Sequence, residues 1–127
     1  MQEKHLFEYA VIRVVPRVER EEFMNVGVIL YCSSQRFLQS KFHLDEDRLK
    51  AFYPEIDLEE LNDRLCAFDH ICAGTKRGGA IGKLSIASRF RWLAASRSTV
   101  VQTSAIHPGL CINAGETLEH LYNQLVK

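Results

Sequence analysis

An excess of charge of either sign is missing from this sequence: 16 Lys and Arg balance 16 Asp and Glu over 127 residues. With no net field to gather a polyanion, a nucleic-acid role is disfavoured and would need a local basic face. Long hydrophobic runs are also missing. The longest, Val26 to Cys32 with Gly27 inside it, falls far short of the roughly 20 apolar residues that span a bilayer. Met1 to His5 is charged, with no apolar signal segment behind it, so no membrane partner and a cytoplasmic location are expected. Repeats, linkers and low-complexity tracts are absent, and the 46% hydrophobic and 25% charged composition lies far from that of disordered chains. One domain covering 1–127 is expected.

The C-x-x-C spacing of metal and redox motifs does not occur. The four cysteines, Cys32, Cys66, Cys72 and Cys111, lie in apolar stretches and read as reduced, packed thiols. Cys66, His70 and Cys72 sit close together, but no second cluster completes four ligands. No metal and no other cofactor is expected. A phosphate-binding loop is missing too. In Gly78-Gly79-Ala80-Ile81-Gly82-Lys83 the first Gly of that motif is replaced by Arg77, Leu84 follows the Lys, and the preceding element reads as a helix. Gly74 to Lys83 is therefore expected to be a basic loop or a mobile segment. No nucleophile elbow or ordered set of Ser, His and acid can be traced, so whether the chain is an enzyme stays open.

What is present is a succession of periods. Leu6 to Val15 is β-branched and aromatic, is closed by Pro16, and reads as a central strand. A second strand begins at Phe23, with Met24, Val26, Val28, Leu30 and Cys32 predicted on one face. Phe37 to Leu44 alternates as a third. The period then lengthens: one or two helical turns over Asp45 to Phe52, a helix carrying Leu58, Leu61, Leu65, Phe68 and Cys72 behind the cap Asp57 with Glu60, and another carrying Ile86, Phe90 and Leu93. Val100 to Ile106 reads as a fourth strand, Pro108-Gly109 as a turn, and Asn113 with Glu116 as the cap of a last helix carrying Leu118, Leu121, Tyr122 and Leu125. The fold class is α+β, an antiparallel sheet of three to four strands with helices packed on one face.

Certain polar residues look out of place. Arg13 interrupts an apolar strand, Arg17 follows Pro16, Asn25 interrupts the second strand, and Arg89, Arg91 and Arg97 surround Trp92 ahead of Ser98 and Thr99. Arginine forks suit carboxylates and phosphates, and Trp92 could stack on a ring, so these nine residues form a candidate anion pocket. The alternative is scaffold: Arg13 paired with Glu8 or Glu22, Asn25 satisfying a turn, Arg89 and Arg91 on the wet face of a helix.

The same residues carry a resemblance. Tyr9-Ala10-Val11-Ile12-Arg13-Val14-Val15-Pro16-Arg17 and Glu22 to Cys32, followed by Arg89-Phe90-Arg91-Trp92-Leu93, Arg97 to Gln102 and His107-Pro108-Gly109, resemble the bacterial domain-of-unknown-function family 3037 over about Phe7 to Val126. The resemblance supplies no catalytic residue. It implies a bacterial context in which a HipA-like kinase is a candidate partner. Two readings stand: a protein-interaction module, partnering a kinase-like protein or self-associating as a homo-oligomer through an exposed strand edge, and a small enzyme or ligand-binding protein whose Arg/Trp pocket holds an anionic small molecule, a phosphate or nucleotide.

Overall fold

The β-branched runs pair with one another before anything else can bury them. In the computed structural model, which describes residues 3–95 and 100–127, β1 (His5–Val14) is the middle strand of a five-stranded antiparallel sheet. On one side it pairs with β2 (Met24–Cys32), which in turn pairs with β3 (Phe37–Phe42). Its other edge is shared by β4 (Val101–Thr103) beside Ile12 to Val14 and β5 (His107–Cys111) beside His5 to Tyr9.

Between β4 and β5 the ladder is kept whole by Ser104, a buried polar residue. Its N–H donates to the Val11 carbonyl at 2.8 Å, and its hydroxyl oxygen accepts from the Val11 N–H, also at 2.8 Å. The hydroxyl stands where a strand carbonyl would be. Ser104→Ala leaves that N–H buried without an acceptor, and urea unfolding should record a loss of about 1 to 3 kcal/mol. Pro108-Gly109, expected as a turn, lies inside β5. The Phe7 ring occupies the space over Gly109, where an added Cβ would come within 2.5 Å of a ring atom.

The α+β class and the antiparallel sheet are as the sequence indicates. α1 (Glu46–Phe52), α2 (Leu58–Ala73) and α3 (Ile86–Leu93) start at Asp45, Asp57 and Ser85, each accepting a hydrogen bond from the backbone N–H three residues on. α2 and α3 share the expected single face, packing Leu61, Leu65, Phe68, Phe90 and Leu93 on Ala10, Ile12 and Val14. α4 (Ala114–Leu125), capped by Asn113, adds a layer on the opposite face, where Ala114 and Leu118 meet Val28, Leu30 and Cys32.

β2 does not keep the single apolar face expected of it. Ile12 pairs with Gly27 but Arg13 with Asn25, so Val26 is an extra residue, a β-bulge. The bulge reverses the alternation beyond it. Met24 and Val26 join the α2/α3 core, while Val28, Leu30 and Cys32 join the α4 core. Gly74 to Lys83 forms two 3-10 turns, Lys76–Gly78 and Ile81–Lys83, after Gly74 ends α2 in the left-handed conformation at φ 70°. The Gly74 and Thr75 N–H groups donate back to Ile71 and His70, and this fixes the start of a segment that composition alone left loose.

Candidate functional site

The strand that bears Arg13 has as its neighbour β4, which follows the second arginine-bearing stretch in sequence. The Val15 N–H donates to the Val100 carbonyl at 2.6 Å, and β4 then pairs Val101 with Val14 and Gln102 with Arg13. On its other side Arg13 faces Asn25. Three segments thus each contribute one polar side chain to a row across β2, β1 and β4. The bulge at Val26 is what turns Asn25 to the α4 face, where its amide nitrogen donates to the Leu125 carbonyl at 3.2 Å.

Arg13 lacks the partners expected for it. Glu8 is taken by Arg91 and Glu22 by Arg20. The Arg13 guanidinium lies instead over the ring of Phe23, 4.0 Å from its centroid, and its Nε is buried. Among the described residues that Nε has no hydrogen-bond partner, nor has the buried Oδ1 of Asn25. Among the described residues no ion pair holds this half-buried cation, and burying a charge without one is costly.

The other candidates go elsewhere. Arg89 and Arg91 sit on α3, across the sheet from Arg13. Arg89 Nη1 donates to the Ile71 and Cys72 carbonyls at 2.9 and 2.8 Å and so caps α2. Arg91 grips Glu8 with both Nη atoms, at 2.8 and 3.0 Å, tying α3 to β1. Both are scaffold. Trp92 is 39% exposed at the end of α3. Arg17 stands beyond the end of β1, its guanidinium 5.5 Å from the Tyr53 ring centroid, in a cleft of about 270 Å³ between Pro16 and Pro54. A hollow of about 170 Å³ shares Pro16 and Tyr53 with it and reaches Val100. Arg97, Ser98 and Thr99 lie outside the described residues. The nine candidates therefore divide, with Arg13 and Asn25 together, Arg17 past the strand end, and α3 on the far face.

Two features had escaped sequence reasoning because only pairing creates them. Phe23, exposed and next to a charged turn, is the lid of Arg13. Ser34 and His5 are joined by a 2.7 Å hydrogen bond, Oγ to Nδ1, beside a cleft of about 350 Å³. That pair resembles a nucleophile and its base, but Glu8 in the same cleft is held by Arg91, and among the described residues no acid is hydrogen-bonded to the ring. The thiols are equally quiet. Burial pushes the Cys72 thiol up to about 12 and raises Cys111 as well, so both stay protonated and unreactive near neutrality. Among the described residues no group of three or more His, Cys, Asp or Glu could hold a metal ion, and no helix is long and apolar enough to cross a membrane.

A five-stranded sheet layered with helices on both faces, carrying Arg13 beside Asn25 and, among the described residues, no assembled nucleophile, base and acid, defines an α+β domain with a candidate binding site. The chain belongs to the family described as Protein of unknown function (DUF3037), which it matches over residues 9–126, so the resemblance read from its motifs holds over nearly the whole length. No curated protein and no solved structure matches it.

Proposed function

We propose that the domain is a cytoplasmic protein-interaction module, docking a partner on the uncovered end of the sheet face that carries α2 and α3. The observation behind this reading is the exposure of three apolar side chains there: Leu6 at 61%, Leu110 at 65% and Ile112 at 49%. Leu6 and Leu110 are directly paired across β1 and β5 and so share a face, and Ile112 follows just beyond the end of β5. Apolar side chains gathered in this way favour association with another surface. Strand addition is the weaker mode, because β5 is five residues long and Pro108 removes a donor. Four free cysteines suit a reducing compartment.

The resemblance points to a HipA-like kinase as the partner to try first. Co-expressed with such a kinase, the parent chain should elute as one complex on gel filtration, and Leu6→Glu/Leu110→Glu should elute alone with an unchanged melting temperature. Elution of the parent as a lone monomer at micromolar concentrations, with no complex and no dimer, would overturn the reading. A dimer of the parent that the double variant abolishes would make the partner a second copy.

A further inference from the structure

The edge of the sheet opposite β5 is β3, and its outer backbone is open. The His43 N–H donates to the Val26 carbonyl at 2.8 Å, one step beyond the pairing of Phe42 with Gly27 that ends the β2–β3 ladder. Hydrogen-bonded and non-bonded pairs alternate along an antiparallel ladder, so Lys41, Gln39 and Phe37 bond inward to β2, while Phe42, Ser40 and Leu38 turn their N–H and C=O groups outward. Among the described residues nothing meets these outward groups. Edges of this kind are commonly guarded by lysine. The lysine of β3, Lys41, points instead to the α4 face, where its ammonium is bound to Glu119 at 2.5 Å and lies 4.8 Å from the Tyr122 ring centroid. The α2 side of the edge is left unguarded.

That side holds a hollow of about 340 Å³ between β3 and the last turns of α2. Leu38 and Cys72, both buried, and Ala73 give it an apolar lining. Among the described residues its one charged side chain is Asp69, whose carboxylate accepts a hydrogen bond from the Ser40 hydroxyl and is paired with no cation. A strand added to β3 would set one of its residues opposite Ser40, with the side chain on the same face, at the hollow. An apolar lining with a carboxylate suits a long side chain of apolar stem and cationic head. A second copy of the chain fits badly, since β3 paired with itself about Ser40 would set Asp69 against Asp69. We propose that the free edge of β3 takes up an extended segment of another protein as a sixth strand, with a lysine or arginine opposite Ser40 whose stem lies on Leu38 and Ala73 and whose cation meets Asp69. The backbone groups of Leu38, Ser40 and Phe42 supply the affinity, and Asp69 selects the residue. This surface is separate from the Leu6 and Leu110 end, so the failure of either leaves the other standing.

The test titrates the full chain, labelled with 15N, with the peptide acetyl-Val-Thr-Lys-Thr-Val-amide, whose central lysine would fall opposite Ser40. The backbone amide resonances of Leu38, Ser40 and Phe42 should shift saturably at about millimolar concentrations. The same peptide with glutamate in place of lysine should bind roughly fivefold more weakly. A peptide N-methylated at the lysine, which has no N–H to donate to the Ser40 carbonyl, should give no saturable shift. Asp69 is exposed on α2, so Asp69→Lys keeps the fold, and it should reverse the order by binding the glutamate peptide more tightly than the lysine one. No saturable shift at the three amides with the lysine peptide, equal binding of the lysine and glutamate peptides, undiminished binding of the N-methylated one, or an order that Asp69→Lys leaves unchanged would each overturn the proposal. Shifts of the same amides on concentrating the chain alone would make a second copy the occupant and overturn it as well.

Discussion

Gly27→Val should leave a chain that barely folds, with a loss of about 3 kcal/mol or more in urea unfolding, and Gly27→Ala should fall between it and the parent. The reason is backbone proximity. A Cβ built at Gly27 would lie 2.7 Å from the Lys41 carbonyl oxygen and 2.8 Å from the Phe42 Cβ. These contacts are with the neighbouring strand itself and not with the free end of a side chain, so they are relieved only by moving β3 away from β2. That movement would open both cores at once, because β2 is buried on its two faces, and it would strike next to the bulge that aims Asn25. Against a total stability of about 5 to 15 kcal/mol for a domain of this kind, such a loss is a large share. A midpoint for Gly27→Ala within error of the parent would show that the strands part easily and that the explanation is wrong.

How far the fold was legible follows from how local each signal is. Asp57 with Glu60 and Asn113 with Glu116 announce their helices because a cap and its N–H are three residues apart, and both bonds are present. β1 reads as central because apolar residues of both parities mean two covered faces. The same argument applied to Val26 to Cys32 could have foretold α4 on the second face, since Val28, Leu30 and Cys32 point one way and Ile29 and Tyr31 the other. The bulge at Val26 was not legible. Nothing in Asn25-Val26-Gly27 states that one residue will go unpaired, yet that residue reverses the faces of all that precede it. Pro108-Gly109 misled in the opposite direction. As a dipeptide it favours a turn, but β1 was available to pair with it and Phe7 needed the space above Gly109.

The candidate site divides along the same line. Arg13 and Asn25 could be singled out because each is a polar residue in an apolar strand, and such a residue has to be answered by something across the sheet. Arg89 and Arg91 were drawn into the same group by residue type alone. Their partners, two carbonyls at the end of α2 and the carboxylate of Glu8, are supplied by tertiary packing that no spacing encodes. Phe23 is the converse case, an aromatic that looked like the mere start of a strand and became half of a cation–aromatic pair.

Phe90→Ala is the second substitution with a large expected effect, a loss of about 3 to 5 kcal/mol and a fall in melting temperature of roughly 10 °C or more. Phe90 is fully buried, and its ring stacks on Tyr31 of β2 at 5.2 Å between centroids and 27° between planes. α3 is only 8 residues long, too short to be stable by itself, so its helical state depends on what Phe90 and Leu93 bury. Flanking Phe90 are the two arginines that tie this layer together. Arg89 reaches the end of α2 and Arg91 reaches Glu8 on β1, and both reaches require α3 to be helical and docked. Removing the ring therefore takes away a cavity's worth of packing together with the anchorage of the α2 C-terminus. Hydrogen exchange separates these effects. Amides of Thr75 to Lys83 and of the last turn of α2 should lose protection along with those of α3, while β1 and β2 amides change only as far as global stability falls. Loss of protection confined to α3 would mean that Arg89 is not what holds the end of α2.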